Sequence, residues 1–140
     1  MNRWSKSEWA SVVSAPPIRS YKDLEVWQVA MTLAEACYKT TADFPREEIY
    51  GMTAQIRRAA VSVAANIAEG YGRETTGSFV QFPRVAQGSI KELETHPLLA
   101  GRVQVSKVDA LAPLLGLCER VSKMLRNLIK SLEKGRNSAS

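Results

Sequence analysis

Between Ala54 and Arg73 the chain reads AQIRRAAVSVAANIAEGYGR. Met52, Ile56, Ala59, Ala60, Val63 and Ile67 recur there at steps that keep them on one face of an α-helix. Ala64, Ala65 and Ala68 widen that face, so neighbours can approach closely on more than one side. No proline interrupts the stretch, and Ala, Gln, Ile and Arg are mostly favourable helix formers. A second stripe is polar, running Arg58, Ser62, Asn66 and Glu69. Gly70 and Gly72 supply a stop, since glycine tolerates the left-handed cap conformation.

Three further amphipathic segments flank this helix. The first runs from about Leu24 to Ala42, with Asp23 as N-cap and an apolar face of Val26, Trp27, Ala30, Met31, Leu33, Ala34, Cys37 and Tyr38. Pro45-Arg46-Glu47-Glu48 reads as a helical start, with acids favoured there by the helix dipole, and Gly51 separates this turn from the long Ala-rich helix. The third helix of the chain runs from about Thr75 to Ala100 on an inward stripe of Phe79, Phe82, Ala86, Ile90, Leu93 and Pro97. Pro83 and Pro97 each remove a backbone donor, so that helix is expected bent or weakened; Gly88 marks a candidate close approach. Gly101 to Val105 is a loop. The last helix starts at Lys107, or at Pro113 if that proline is its first residue, and ends at Lys134. Leu111, Leu114, Cys118, Val121, Leu125, Leu128 and Leu132 keep the spacing of bundle packing.

These segments, joined by short connections, define an all-α fold: an up-down-up-down four-helix bundle over residues 18–134. Residues 1–17 form an N-terminal extension ending at Pro16-Pro17, in which Trp4, Trp9, Val12 and Val13 could make an amphipathic turn that docks on the body. Residues 135–140 are a polar C-terminal tail.

A chain of 140 residues, 45% hydrophobic and 24% charged, is an ordinary single globular domain. Cys37 and Cys118 both fall on apolar faces, as buried free thiols do in a reducing cytoplasm. No apolar run approaches the roughly 18 residues a membrane span needs, so no membrane association is expected.

Candidate chemistry is sparse. A di-iron carboxylate bundle needs Glu-x-x-His on two helices, but His96 is the single histidine and its acids, Glu92 and Glu94, are wrongly spaced. No metal site or cofactor is expected. GYGRETTG, Gly70 to Gly77, lacks the Lys-Ser/Thr of a phosphate loop and joins two helices, so it reads as a turn. A cysteine nucleophile would need a histidine base, and only His96 is available. The polar stripe of Arg58, Asn66 and Glu69 has two readings: polar registration within or between subunits, or a ligand cleft between subunits. The chain is read as a non-enzyme.

Charge is the one functional signal. The net charge of +5 arises wholly after residue 101, where eight Lys/Arg face Asp109, Glu119 and Glu133. Arg120, Lys123, Asn127, Lys130 and Lys134 follow helical spacing opposite the leucine stripe, with Arg126 at the edge. The row is either a solvated surface or a polyanion-binding face, since clustered cations release counterions from a phosphate backbone. No aromatic residue is interleaved, so base stacking is not indicated.

The strings YKDLEVWQ (Tyr21 to Gln28), Phe44-Pro45, IYGMT (Ile49 to Thr53), QIRRAAVSVAANIAEGYGR (Gln55 to Arg73), GSIKELET (Gly88 to Thr95) and MLRNLIKSL (Met124 to Leu132) resemble the 23S rRNA intervening-sequence proteins. The resemblance implies a four-helix bundle that assembles into a ring-like homopentamer. It also implies similarity to the accessory variability determinant of diversity-generating retroelements, a basic pentamer that works with a reverse transcriptase and nucleic acid. It supplies no catalytic residues. The chain departs from the family pattern at Pro83, Gln87, His96 and Pro97, and at Thr75-x-x-Ser78. Together these features lead to the expectation of an oligomeric RNA-binding accessory protein, the alternative being a protein-interaction scaffold without a nucleic-acid role.

Overall fold

The computed structural model describes residues 18–73 and 76–139. The expected N-terminal extension, residues 1–17, lies outside the described residues, as does the expected helix start at Thr75. Four helices make up the body: α1 (Glu25–Thr41), α2 (Met52–Gly72), α3 (Thr76–Arg102) and α4 (Val108–Ala139). No strand occurs among the described residues. Each helix packs on the next, and α4 returns against α1, closing the all-α up-down-up-down bundle.

The core follows the hydrophobic period. All seven residues of the α4 stripe are buried, from Leu111 to Leu132. They meet Leu33 of α1, Ile56 and Ile67 of α2, and Ile90 and Leu93 of α3 in one cluster. Burying each large aliphatic side chain of this kind contributes about 1.5–3 kcal/mol. Ala59, Ala60 and Ala64 are buried as well, so α2 meets the core with small side chains.

Local chemistry shifts several ends. Asp23 does not cap α1: it closes a 3-10 turn, Tyr21–Asp23, whose capping box is completed by Ser20. Asp23 Oδ2 accepts from the backbone N–H of Arg19 at 3.0 Å and of Ser20 at 3.3 Å. Leu24 is the N-cap residue of α1 and makes no side-chain cap bond. A second 3-10 turn, Arg46–Glu48, precedes α2. Glu48 Oε1 accepts from the Met52 N–H at 3.2 Å, closing one of the open donors at the start of α2. Gly51 is its N-cap.

α2 continues through Gly70 to Gly72 and leaves directly into extended backbone at Arg73, φ −80° and ψ 154°. No described glycine has positive φ, so the left-handed glycine stop does not form. That conformation occurs instead at Gln104, φ 63°, after α3. Its N–H donates to the Gly101 carbonyl at 3.3 Å, while the Val105 N–H donates to the Ala100 carbonyl at 2.9 Å. This is a Schellman closure with glutamine in the glycine position.

α3 is a continuous helix with Pro83 and Pro97 inside it. Both prolines are buried. Val80, Pro83, Ala86, Ile90, Leu93, Pro97 and Ala100 form the inward row, whereas Phe82 is only half-buried; Phe79 lies outside the described side chains. The row thus begins one helical step away from the expected one. Gly88 is not a close approach, since a Cβ there would meet nothing within 4 Å. α4 begins at Val108, making Pro113 an internal residue, and runs past Lys134 to Ala139.

Candidate nucleic-acid interface and polar contacts

α4 turns one face into the bundle and therefore presents the opposite face to solvent. Arg120, Lys123, Arg126, Asn127, Lys130 and Lys134 are all exposed. They form a row along the outside of α4, flanked by α1 on one side and α3 on the other. The cations are not equally free. Arg120 Nη2 lies 3.7 Å from Glu25 Oε1 on α1. Lys123 Nζ lies 3.3 Å from Glu119 Oε1, one turn earlier. Exposed pairs of this kind are weak and screened by salt, so a denser anion could displace them.

Beside the row runs a shallow groove of about 380 Å³ between α3 and α4, bordered by Lys91, Glu94, Glu119, Ser122, Lys123 and Arg126. Lys91 from α3 adds a cation to its rim and pairs loosely with Glu94 at 3.7 Å. Farther along, Arg84 of α3 ties Glu133 of α4 at 2.7 Å.

The polar stripe of α2 separates. Asn66 Nδ2 donates to the Ser62 carbonyl at 2.8 Å and to Ser62 Oγ at 3.1 Å. Ser62 Oγ in turn shares a 2.8 Å hydrogen bond with Ser89 Oγ of α3. Asn66 therefore belongs to a polar link between two helices. Arg58 and Glu69 are exposed. Glu69 pairs with Arg73 at 3.1 Å, and the Arg73 guanidinium stacks over Phe82 at 4.7 Å. These contacts do not bring Arg58, Asn66 and Glu69 together into a cleft within the chain.

The arginine that joins α1 to α2 is Arg57. Its Nε donates to Thr41 Oγ1 at 2.9 Å and its Nη2 to the Tyr38 carbonyl at 3.4 Å, while its guanidinium lies 4.5 Å from the Tyr38 ring centroid. Sequence reasoning passed over Arg57 and Ser89. No sequence signal separates Arg57 from Arg58, because alanines lie on both sides of α2.

Cys37 and Cys118 are free and buried. Loss of hydration pushes both thiols up to about 12, with Cys37 and Glu94 adding to the effect on Cys118. Such thiols are poor nucleophiles at neutral pH. His96 Nε2 stands 3.6 Å from Glu92 Oε1, too far for a hydrogen bond. Among the described residues no three His, Cys, Asp or Glu side chains are gathered to hold a metal ion. No described helix is long and apolar enough to cross a membrane.

Several exposed apolar residues gather at one end of the bundle. The α1–α2 and α3–α4 connections lie at the same end of an up-down bundle. Ile49, Tyr50, Leu98, Leu99, Val103 and Val108 are exposed in or beside those connections, Tyr50 at 92%. The α2–α3 turn and the lysine-bearing C-terminal half of α4 lie toward the other end.

These features define a class: antiparallel four-helix bundles whose individuality lies on their outer faces. The family is specific. The chain belongs to the 23S rRNA-intervening sequence protein family, whose sequence profile matches residues 22–127. A solved structure from Bacteroides thetaiotaomicron VPI-5482, described as a protein of unknown function from the S23 ribosomal protein family, shares the fold. It is 21% identical, with a TM-score of 0.68, and the match covers 75% of this chain and 98% of that one. Among curated proteins none matches.

Proposed function

We propose that this chain is a non-enzymatic, oligomeric accessory protein that binds RNA through the outer face of α4. The observation that carries the reading is the exposed row of Lys123, Arg126, Lys130 and Lys134, which supplies four of the eight cations in the net-positive segment after residue 101. Phosphates are the natural partners of such a row, because each neutralising contact releases condensed counterions. The row has no interleaved aromatic, so recognition follows the backbone and shape of the RNA more than its bases. Assembly into a homopentamer, as the family resemblance implies, would repeat the row and turn weak contacts into avid ones.

A mobility-shift titration with structured RNA at increasing salt tests the reading. Binding that weakens steeply with salt supports it; no shift even at low salt rejects it. Native mass measured with and without nuclease gives the subunit count and any co-purifying RNA.

A second reading is a protein-interaction scaffold in a cytoplasmic complex, with the lysine row merely solvated. The exposed apolar residues at the loop end of the bundle favour it. Capture of a defined protein partner after nuclease treatment would support that reading.

A further inference from the structure

A trough of about 430 Å³ runs along the outside of the α1–α2 pair. Tyr21, Trp27, Met31 and Tyr38 form one wall, and Val61 and Ala65 stand on the other. Met31 is 37% exposed, Tyr38 47% and Val61 49%, so large apolar side chains of both helices face outward along one line. Tyr21 and Trp27 meet edge to face at 5.3 Å and close the end nearest the first described residue, Ile18. Glu35 is the one charged residue on the trough. The α-helical period of α1 alone would place Met31 and Tyr38 at the margin of the core; the alanines of α2 leave the gap between them open.

We propose that the α1–α2 trough is the docking site of this chain's own N-terminal segment, residues 4–13. Four observations select that occupant. The segment carries Trp4, Trp9, Val12 and Val13, an apolar set of the kind the trough lacks. It is joined to the trough directly: the chain enters at Ile18, and Tyr21 already lines the wall. The reach is sufficient, since the trough from Trp27 to Tyr38 is about 16 Å long at the helical rise and the stretch from Ile18 back to Val12 spans up to about 20 Å extended. Arg3 beside the segment and Lys6 within it outnumber its one acid, Glu8, so the segment brings a net positive charge to meet Glu35. A tether this short makes docking within the chain far more favourable than capture of a free partner. The consequence is that the apolar α1–α2 face is reserved, and a partner wanting it must first displace the segment. The inference does not rest on RNA binding, which uses α4.

Two full-length variants test it, each leaving Trp27 as the single tryptophan. In Trp4→Phe/Trp9→Phe the segment stays apolar; in Trp4→Ser/Trp9→Ser/Val12→Ser/Val13→Ser it does not. Acrylamide quenching of Trp27 is expected to be severalfold stronger in the serine variant, with matching gain of an apolar-surface dye. The protection in the phenylalanine variant should persist on dilution. A synthetic peptide of residues 1–15 added to the serine variant should restore it. Equal quenching in the two variants overturns the proposal, and so does a peptide without effect. Protection that disappears on dilution together with a fall in native mass also overturns it, because the occupant is then a second copy of the chain.

Discussion

Arg57 reaches from α2 to α1 and donates to Thr41, whose hydroxyl donates its own proton to the Cys37 carbonyl at 2.7 Å. Thr41 is 3% exposed, so the hydroxyl is satisfied in both directions without water. Removing Arg57 leaves an acceptor short of its partner and uncovers the Tyr38 ring. Arg57→Leu is expected to lower stability by about 1–2 kcal/mol in urea denaturation. Arg58→Leu, one residue on at an exposed site, should stay within about 0.5 kcal/mol. Equal losses from both would remove the special role of Arg57.

Gln104 holds the left-handed conformation that closes α3. A side chain there costs roughly 1 kcal/mol or more relative to glycine. Gln104→Gly should therefore raise the unfolding midpoint, by somewhat less than that cost because glycine gains freedom in the unfolded chain. A lowered midpoint would show that the glutamine side chain makes a compensating contact.

Pro97 is buried inside α3 and cannot donate to the Leu93 carbonyl. An internal proline costs about 3 kcal/mol, whereas trimming its ring to a methyl forfeits about 1–2 kcal/mol of burial. Pro97→Ala is expected to be net stabilising by calorimetry. Destabilisation would mean that the ring's packing outweighs the missing hydrogen bond.

The lysine row gives a graded expectation. Replacing Lys123, Lys130 and Lys134 together with Glu should abolish an RNA shift without altering helical content. Single changes of Arg126 or Lys130 to Ala should each reduce the slope of log affinity against log salt by about 1. Arg120→Ala should cost less, because part of its charge is already engaged by Glu25. Loss of helical signal in the triple variant, read by circular dichroism, would mark a folding effect instead.

The thiols set a limit at high pH. An unfolded thiol ionises near about 8.5, whereas Cys37 and Cys118 are pushed up to about 12. The folded state keeps protons that the unfolded state loses between those values. Stability is thus complete below the lower value and falls as pH rises above it, by at most about 1.4 kcal/mol per pH unit for each thiol. Denaturation midpoints at pH 8 and pH 10 measure the loss, which Cys37→Ala/Cys118→Ala should reduce.

The long periodic rows of the bundle were legible because burial repeats every turn: the α4 stripe from Leu111 to Leu132 is buried throughout, and its polar complement is exposed. The α2 contacts were harder to read. Arg57 and Arg58 are neighbours about 100° apart, and alanines on both sides of α2 leave no contrast to show which arginine faces α1. Gln104 carries no turn signature, whereas Gly70 and Gly72 carry one that the helix does not use. The ion pairs Arg120–Glu25 and Arg84–Glu133 join residues far apart in sequence, so only the closed bundle brings them together. The trough between α1 and α2 is likewise a property of two helices, visible in neither alone.

The placement of both exposed apolar connections at one end of the bundle gives each copy a direction, like an arrow. Copies related by rotation about an axis along the helices would all point the same way. Such a ring would be two-sided, with Tyr50 and Val108 displayed by one rim and the C-terminal ends of the lysine rows converging toward the other. A polyanion and a greasy partner could then be held at once, on opposite sides, without competing.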